Sequence, residues 1–129
     1  MSIDTLRVWH ELVTTRNIRG LGDLLADDVV FHSPVVHTPQ AGKAITMQYL
    51  GAAFHVFFNE TFRYVRTVTG PHDAVLEFQV EIDGIVVNGV DMLQWRADGR
   101  ITDFKVMVRP LKAIHLIHAK MAAMLEARS

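Results

Sequence analysis

Residues 76–110 read "LEFQVEIDGIVVNGVDMLQWRADGRITDFKVMVRP" and carry the strongest structural signal in the chain. Apolar and polar side chains alternate in three runs, and the dipeptide Asp-Gly separates the runs at 83–84 and again at 98–99. Alternation with period two is typical of a strand with one buried face, and Asp-Gly between two such runs indicates a hairpin. The stretch therefore predicts three consecutive antiparallel strands, the last of which ends at Pro110.

A fourth strand and several helices surround this stretch. Residues 62–69 alternate in the same way, which adds a strand to the meander, and residues 29–32 form a short apolar run. Helical spacing of apolar residues covers 3–13, 18–25, 43–58 and 111–125. Ser2 or Asp4 can cap the first helix, and Asp27-Asp28 can end the second. The proline- and glycine-containing residues 33–42 are predicted to be a loop.

Helices that are segregated from an antiparallel sheet indicate the α+β class. Because long sheets twist and curl, we expect a curved antiparallel sheet wrapped around the N-terminal helices, a cone-shaped α+β barrel that can enclose a cavity. The final helix is an addition to this cone. Its predicted apolar stripe consists of Leu111, Ile114, His118, Met121 and Leu125.

Composition restricts the class of protein. The 129 residues, half of them hydrophobic, suit a single domain over 1–129. Thirteen basic and fourteen acidic side chains form no basic block, so we expect no nucleic-acid partner. The chain has no cysteine, its apolar runs are too short for a membrane span, and its charged first turns do not resemble a signal peptide. A soluble cytoplasmic protein is the expectation.

Asp91 is the first candidate for chemistry. It shares a strand face with Ile85, Val87, Gly89, Leu93 and Trp95. If this face points inward, which we favour because Leu93 and Trp95 are costly to expose, burial can raise the carboxyl pKa by up to about 3–5 units. Such a carboxyl can donate a hydrogen bond or act as a base near neutral pH. The alternative is that the opposite face, with Val86, Val90 and Met92, is buried.

Histidines and one serine are the other polar candidates. His32 ends the first strand and could exchange protons with a ligand or with Asp91, or could simply cap the strand end. Ser33 follows it at the predicted rim of the cone and is a candidate substrate-binding residue. His55 is interpreted as structural. His115 and His118 lie three residues apart on the last helix, but no third ligand is evident, so we predict no metal site.

Apolar side chains would form the walls of a pocket if the cone is hollow, and would otherwise be core residues. These candidate substrate-binding residues are Trp9, Tyr49, Phe54, Phe78, Leu93, Trp95 and Phe104.

Three segments together resemble a known superfamily. The order of "LLADDVVFHSPVV", "AGKAITMQYL" and "GVDMLQWRADGRITDFKVMVRPL" is similar to that of the nuclear transport factor 2-like superfamily, and within it to SnoaL-like proteins and ketosteroid isomerases. The resemblance covers nearly the whole chain apart from the last helix. It implies the cone-shaped fold and leaves the activity open, since this fold includes isomerases, cyclases, dehydratases, epoxide hydrolases and non-catalytic binders.

The likeness to ketosteroid isomerases is partial at the residues that carry the chemistry. Ser33 stands where that family has its general base, an aspartate, and Trp9 stands where it has a tyrosine that donates to the oxyanion. Asp91 matches the aspartate that the family keeps protonated, and Tyr49 matches a tyrosine that supports the network. Only one of three principal groups is present, so the resemblance does not imply classical steroid isomerisation.

SnoaL-like polyketide cyclases are the better match. They close a ring by an aldol reaction, with an aspartate as acid and base in an apolar cavity and with no cofactor or metal. The resemblance therefore implies a cofactor-independent enzyme for a small hydrophobic carbonyl-containing ring compound, with Asp91 as catalytic residue and His32 as helper. The alternative is a non-catalytic binder of small molecules. An epoxide-hydrolase arrangement built from Arg66 and Asp103 ranks third.

Proteins of this superfamily often pair through their sheets, so a homodimer is also expected. One predicted strand face carries mixed charges suited to such a contact. Its members are Asp103, Lys105, Met107 and Arg109, with Arg63 and Glu77 on neighbouring strands.

Overall fold

The computed structural model describes residues 3–128. Within them lie the helices α1 (Thr5–Thr15), α2 (Leu21–Leu24), α3 (Lys43–Phe57) and α4 (Leu111–Arg128), with a short 3₁₀ turn, Ile18–Gly20, before α2. The strands are β1 (Leu25–His32), β2 (Gln40–Ala41), β3 (Arg63–Thr69), β4 (Asp73–Ile82), β5 (Ile85–Trp95) and β6 (Ile101–Arg109). The α+β prediction is confirmed.

The six strands form one curved sheet in the order β2-β1-β6-β5-β4-β3. The predicted meander from β3 to β6 is antiparallel throughout. At the turn between β4 and β5, Asp83 and Gly84 both have positive φ angles (51° and 80°), as the tight hairpin turn between right-twisted strands requires. The end strands β2 and β3 do not pair with each other, so the sheet stays unclosed.

The sequence predicted an antiparallel sheet, and this prediction is wrong for one pair of strands. β1 pairs in parallel with β6, which makes the sheet mixed. Alternation of side chains reports the faces of a strand but not the direction of its pairing with a strand some seventy residues away. Its local antiparallel partner is β2, which lies inside the predicted loop.

The N-terminal boundaries also differ from prediction. β1 begins at Leu25, so Asp27 and Asp28 are exposed strand residues rather than the end of a helix. The pairing of β1 with β6 shifts register between Leu25 and Val30, and this irregularity lets two successive carboxylates face water. Asp4 caps α1 by accepting a hydrogen bond from the backbone N–H of Arg7; Ser2, the other predicted cap, lies outside the described residues.

The core lies between the inner face of the sheet and the helices α1 and α3. Trp9 of α1 contacts the ring of Phe54 on α3 and the ring of Phe104 on β6, with centroids 5.8 Å and 5.1 Å apart. All three side chains are buried. Large aromatic side chains therefore join helix to sheet at the centre of the cone.

The buried face of α4 overlaps the predicted stripe only in part, since Met121 is buried and Leu125 packs against the core as predicted, whereas some other members of the stripe are exposed. Its buried residues are Ala113, Ile117 and Met121, whereas Leu111 is 68% exposed and His118 is exposed. The small Ala113 allows α4 to approach its neighbours closely, a feature that a search for large apolar side chains overlooks. Within the described residues, no helix combines the length and the apolar character needed to cross a membrane.

Candidate functional site

Asp91 lies at the centre of the inner face of β5. It pairs with Leu76 of β4 and Val106 of β6, both apolar and buried, and only 6% of its own surface is exposed. The prediction that this face of β5 points inward is confirmed. A buried carboxyl without a positively charged partner is costly when ionised, so its hydrogen bonds decide its chemistry.

A chain of two hydrogen bonds holds this carboxyl. Trp9 Nε1 donates to Tyr64 Oη at 2.9 Å, and Tyr64 Oη donates to Asp91 Oδ2 at 2.7 Å. The chain connects α1, β3 and β5, three elements that are distant in sequence. Among the described residues, Tyr64 is the one whose side chain forms a hydrogen bond with Asp91. The second carboxyl oxygen of Asp91 is therefore available to a ligand.

The pKa values of the two acids follow from this environment. Burial raises the pKa of Asp91 to about 7, although the hydrogen bond from Tyr64 partly opposes the rise. Burial and the neighbouring Asp91 carboxylate raise the pKa of Tyr64 well above its usual value. Tyr64 therefore remains a protonated donor, while Asp91 changes between its neutral and ionised forms near neutral pH.

A small cavity of about 30 Å³ adjoins Asp91. Six aromatic rings border it, those of Trp9, Phe57, Phe58, Phe62, Phe78 and Phe104. A space of this size holds about one water molecule or one ligand atom with its bound hydrogen. The interior is thus nearly filled by aromatic side chains, in contrast to the hollow cone that the sequence had suggested.

A larger groove of about 390 Å³ lies on the other side of two of these rings. Phe58 and Phe62, in edge contact with centroids 4.6 Å apart, border both spaces. His10, Arg16, Glu60, Arg63 and Tyr64 also border the groove. The ring of Tyr64 thus faces the groove while its hydroxyl points inward to Asp91.

The geometry of this site can be compared with known proteins. The chain matches the SnoaL-like domain over residues 6–104, well over half of its length. It belongs to the SnoaL-like domain family. No curated protein matches this SnoaL-like chain.

Solved structures include close relatives of this SnoaL-like chain. A steroid delta-isomerase from Pseudomonas aeruginosa is 36% identical with a TM-score of 0.91, covering 96% of this chain and 90% of that one. A protein with a cystatin-like fold from Silicibacter pomeroyi is 30% identical with a TM-score of 0.82, and the match covers 97% of this chain and 84% of that one. The epoxide hydrolase/cyclase-like enzyme SalBIII shares the fold at 14% identity. Its TM-score is 0.66, and the match covers 82% of this chain and 88% of that one.

The SnoaL-like site contains some of the predicted wall residues. Trp9, Phe78 and Phe104 border the cavity, and Phe54 packs edge-on against Trp9. Leu93 is buried on the inner face of β5. Tyr49 instead packs against Phe31, with centroids 5.5 Å apart, and takes no part in the hydrogen bonds to Asp91. Trp95 is the last residue of β5 and lies partly exposed.

His32 and Ser33 lie away from the Asp91 cavity. His32 Nε2 is 2.9 Å from Asp103 Oδ1, on the outer side of the sheet. The hydroxyl of Ser33 accepts hydrogen bonds from the backbone N–H groups of Val35 and Val36, so it closes a local turn. The structure therefore does not bring His32 to Asp91, because β1 directs Phe31, not its neighbours, toward the core.

The remaining candidates also fall outside this site. Arg66 pairs with Glu77, 3.2 Å away, and does not meet Asp103, so the two do not form an epoxide-hydrolase arrangement. His55, His115 and His118 are exposed. In the part of the chain that the structure describes, no three histidine or acidic side chains group closely enough to hold a metal ion.

Tyr64 and His10 are the residues that sequence reasoning missed. Tyr64 reaches Asp91 across two strand pairings, and a register shift in β3 directly after it hides its orientation. His10 packs edge-on against the Tyr64 ring, with centroids 5.3 Å apart. The available signal was a polar ring next to the candidate core residue Trp9 for His10, and a polar ring on the same predicted strand face as Phe62 for Tyr64.

Proposed function

We propose that this SnoaL-like protein is a cofactor-independent acid–base enzyme of the isomerase or cyclase type, acting on a small hydrophobic ring compound with a carbonyl group. One observation carries the proposal: a carboxyl buried among apolar side chains, held through one oxygen by Tyr64, beside a cavity large enough for an oxygen atom. Neither cavity nor hydrogen bonds would be needed for stability alone, since an apolar residue at position 91 would pack at lower cost.

The neutral form of Asp91 supplies the acid. With Tyr64 donating to Oδ2, the proton of the carboxyl resides on the other oxygen and can be donated to a substrate carbonyl oxygen in the cavity. Negative charge that develops on this oxygen as an enolate forms is stabilised in a space from which water is excluded. Trp9 and Tyr64 fix the orientation of the carboxyl, so little reorganisation accompanies the reaction.

An isomerisation or an aldol closure also needs a proton acceptor, and His10 is suited to this role. It borders the groove beside Tyr64, and burial lowers its pKa, which favours the neutral imidazole. A neutral imidazole accepts a proton readily near neutral pH. In this proposal His10 acts as the general base, the role that ketosteroid isomerases give to an aspartate at the position of Ser33.

The relatives support this class of reaction. The Pseudomonas aeruginosa relative, which is 36% identical, is named a steroid delta-isomerase, which supports a reaction of the isomerase type. The SalBIII enzyme is connected by name with pyran ring formation, and at 14% identity it contributes only the fold. We propose an isomerase-type reaction at a carbonyl compound for this chain and do not extend the proposal to a steroid substrate.

Replacing Asp91 with Asn tests the proposal. The measurement is the exchange of hydrogens next to the carbonyl of 2-tetralone and related cyclic ketones in D₂O, followed by proton NMR and corrected for the rate in buffer. Loss of the acid should lower the enzyme-dependent rate by about 100-fold or more. The exposed Asp28→Asn variant serves as control and should keep the wild-type rate. Equal rates for wild type and Asp91→Asn would contradict the proposal.

A non-catalytic binder is the second candidate, favoured by Ser33, which puts a turn-forming hydroxyl where ketosteroid isomerases have their base. In that case cyclic ketones stabilise the protein against heat, and the stabilisation rises with the logarithm of their concentration once this exceeds the dissociation constant. No deuterium enters them above the buffer rate. The same NMR samples therefore separate the two candidates.

We also propose that the protein forms a homodimer through the outer face of the sheet. Val86 and Met107 are 52% and 49% exposed on neighbouring strands of this face, beside charged residues of both signs. We expect the wild type to sediment as a dimer at micromolar concentration and Met107→Glu to sediment as a monomer, because a buried unpaired carboxylate is costly at such an interface. A monomeric wild type would exclude this dimer.

A further inference from the structure

We propose that the ligand enters through the groove between α1 and β3, that it carries an anionic group bound by Arg16 and Arg63, and that Phe58 and Phe62 move apart to let its ring reach Asp91. This inference rests on the proposed function and adds the substrate class: an amphipathic compound with a carbonyl group at one end and a carboxylate or similar anion at the other.

Space is the first argument. The cavity at Asp91 measures about 30 Å³, whereas a cavity that accepts benzene measures about 150 Å³. A ring compound can therefore reach Asp91 only if side chains move. Phe58 and Phe62 are the residues that border both the cavity and the 390 Å³ groove, so their displacement joins the two spaces.

The packing of these two rings allows such a movement. Both are partly exposed and lie in the segment that connects α3 to β3. Asn59, between them in sequence, anchors the backbone of this segment by donating from Nδ2 to the carbonyl oxygen of Glu81 at 2.9 Å. Since the backbone is held, rotation of the two side chains opens the passage without unfolding the segment.

Charge is the second argument. Arg16 and Arg63 border the groove, and neither forms an ion pair with any residue of the described chain, in contrast to Arg66, which pairs with Glu77. Glu60 is the acid that borders the same groove, and burial lowers the pKa of His10, which disfavours its charged form. The groove is therefore net positive beside an apolar passage, which complements an amphipathic anion.

The test uses 2-naphthoate and its neutral, nearly isosteric counterpart 2-naphthamide, both measured by isothermal titration calorimetry. The variants are Arg16→Gln/Arg63→Gln and, as matched control, Arg66→Gln on the same strand as Arg63. Entry is followed by the NMR signal of the Trp9 indole N–H, which donates to Tyr64 inside the passage. The indole of Trp95, at the end of β5, is the internal reference.

We expect wild type to bind 2-naphthoate about tenfold more tightly than 2-naphthamide, which corresponds to a charge-assisted hydrogen bond. The double variant should lose this preference, Arg66→Gln should keep it, and 2-naphthoate should shift the Trp9 indole signal and not that of Trp95. Equal affinities for the two compounds, no binding of either, an equal loss in Arg66→Gln, or binding that leaves Trp9 unshifted would each overturn the inference.

The outcome is separable from that of the proposed function. If the anion preference is absent but Asp91-dependent deuterium exchange persists, the groove is not the entrance for an anion and the enzyme proposal stands. If 2-naphthoate binds as expected but no ketone exchanges, the groove binds ligands and the chemistry at Asp91 is wrong.

Discussion

Replacing Asp91 with Asn is expected to remove most of the dependence of stability on pH between acid and neutral conditions. The pKa of Asp91 is about 7 in the folded protein, compared with 3.8 for an aspartate exposed to water. Between these values the folded state binds more protons than the unfolded state, so the free energy of unfolding of the wild type decreases as the pH rises. The loss is complete above the folded pKa and amounts to at most about 4 kcal/mol, at 1.36 kcal/mol per pKa unit.

The amide of Asn has the shape of the neutral carboxyl and can still accept the hydrogen bond from Tyr64. It has no charge to desolvate, so position 91 no longer contributes to the pH dependence, and the dependence that remains comes from other groups such as His10, whose lowered pKa makes stability rise with pH. We therefore expect Asp91→Asn to be more stable than wild type at pH 8, with a difference that shrinks toward pH 4. The combination of higher stability and lost activity at neutral pH is typical of a residue retained for chemistry.

Urea unfolding at a series of pH values between 4 and 8 measures this difference. Asp28→Asn, an exposed change on β1, controls for the loss of one negative charge and should follow the wild-type curve. If Asp91→Asn and wild type gave parallel curves, the carboxyl would not change its protonation on folding.

Much of the fold could be predicted because its signals are local. The turns at Asp83-Gly84 and Asp98-Gly99 join strands that alternate clearly, and local alternation fixed the inward orientation of Asp91. The parallel pairing of β1 with β6 and the short β2 depend on contacts between segments distant in sequence. Periodicity within one segment cannot report such pairings.

The functional site was also predicted only in part, because several of its contacts join segments that are distant in sequence. Asp91 was identifiable since a carboxyl among apolar neighbours is conspicuous in a strand. Its partner Tyr64 was not, because the pairing that brings them together runs through β4 and includes a register shift. His32 lies at a strand end as predicted but faces Asp103, since a one-residue difference in position reverses the face of a strand. The volume left by six aromatic rings depends on their packing and has no sequence signal.

Gly89→Ala is expected to destabilise the protein by about 3 kcal/mol, the upper end of the usual cost of overpacking. Gly89 lies on the buried face of β5, opposite Phe78 of β4. An added Cβ would lie 2.6 Å from the ring of Phe78 and 2.6 Å from the backbone carbonyl oxygen of Met107 on β6. The Phe78 ring is buried against the rings of Phe57 and Phe62, and the Met107 carbonyl belongs to the paired strand β6, so neither moves away cheaply.

Urea unfolding measures the change, and Gly22→Ala is its matched control. Gly22 lies in α2 with no atom within 4 Å of an added Cβ, so alanine there should leave the stability unchanged or raise it by less than about 1 kcal/mol. Because Phe78 borders both Gly89 and the cavity, Gly89→Ala should also lower the rate of deuterium exchange into 2-tetralone, while Gly22→Ala should not. Wild-type stability in Gly89→Ala would mean that β5 and β6 can separate locally, and the cavity beside Asp91 would then not be held at a fixed size.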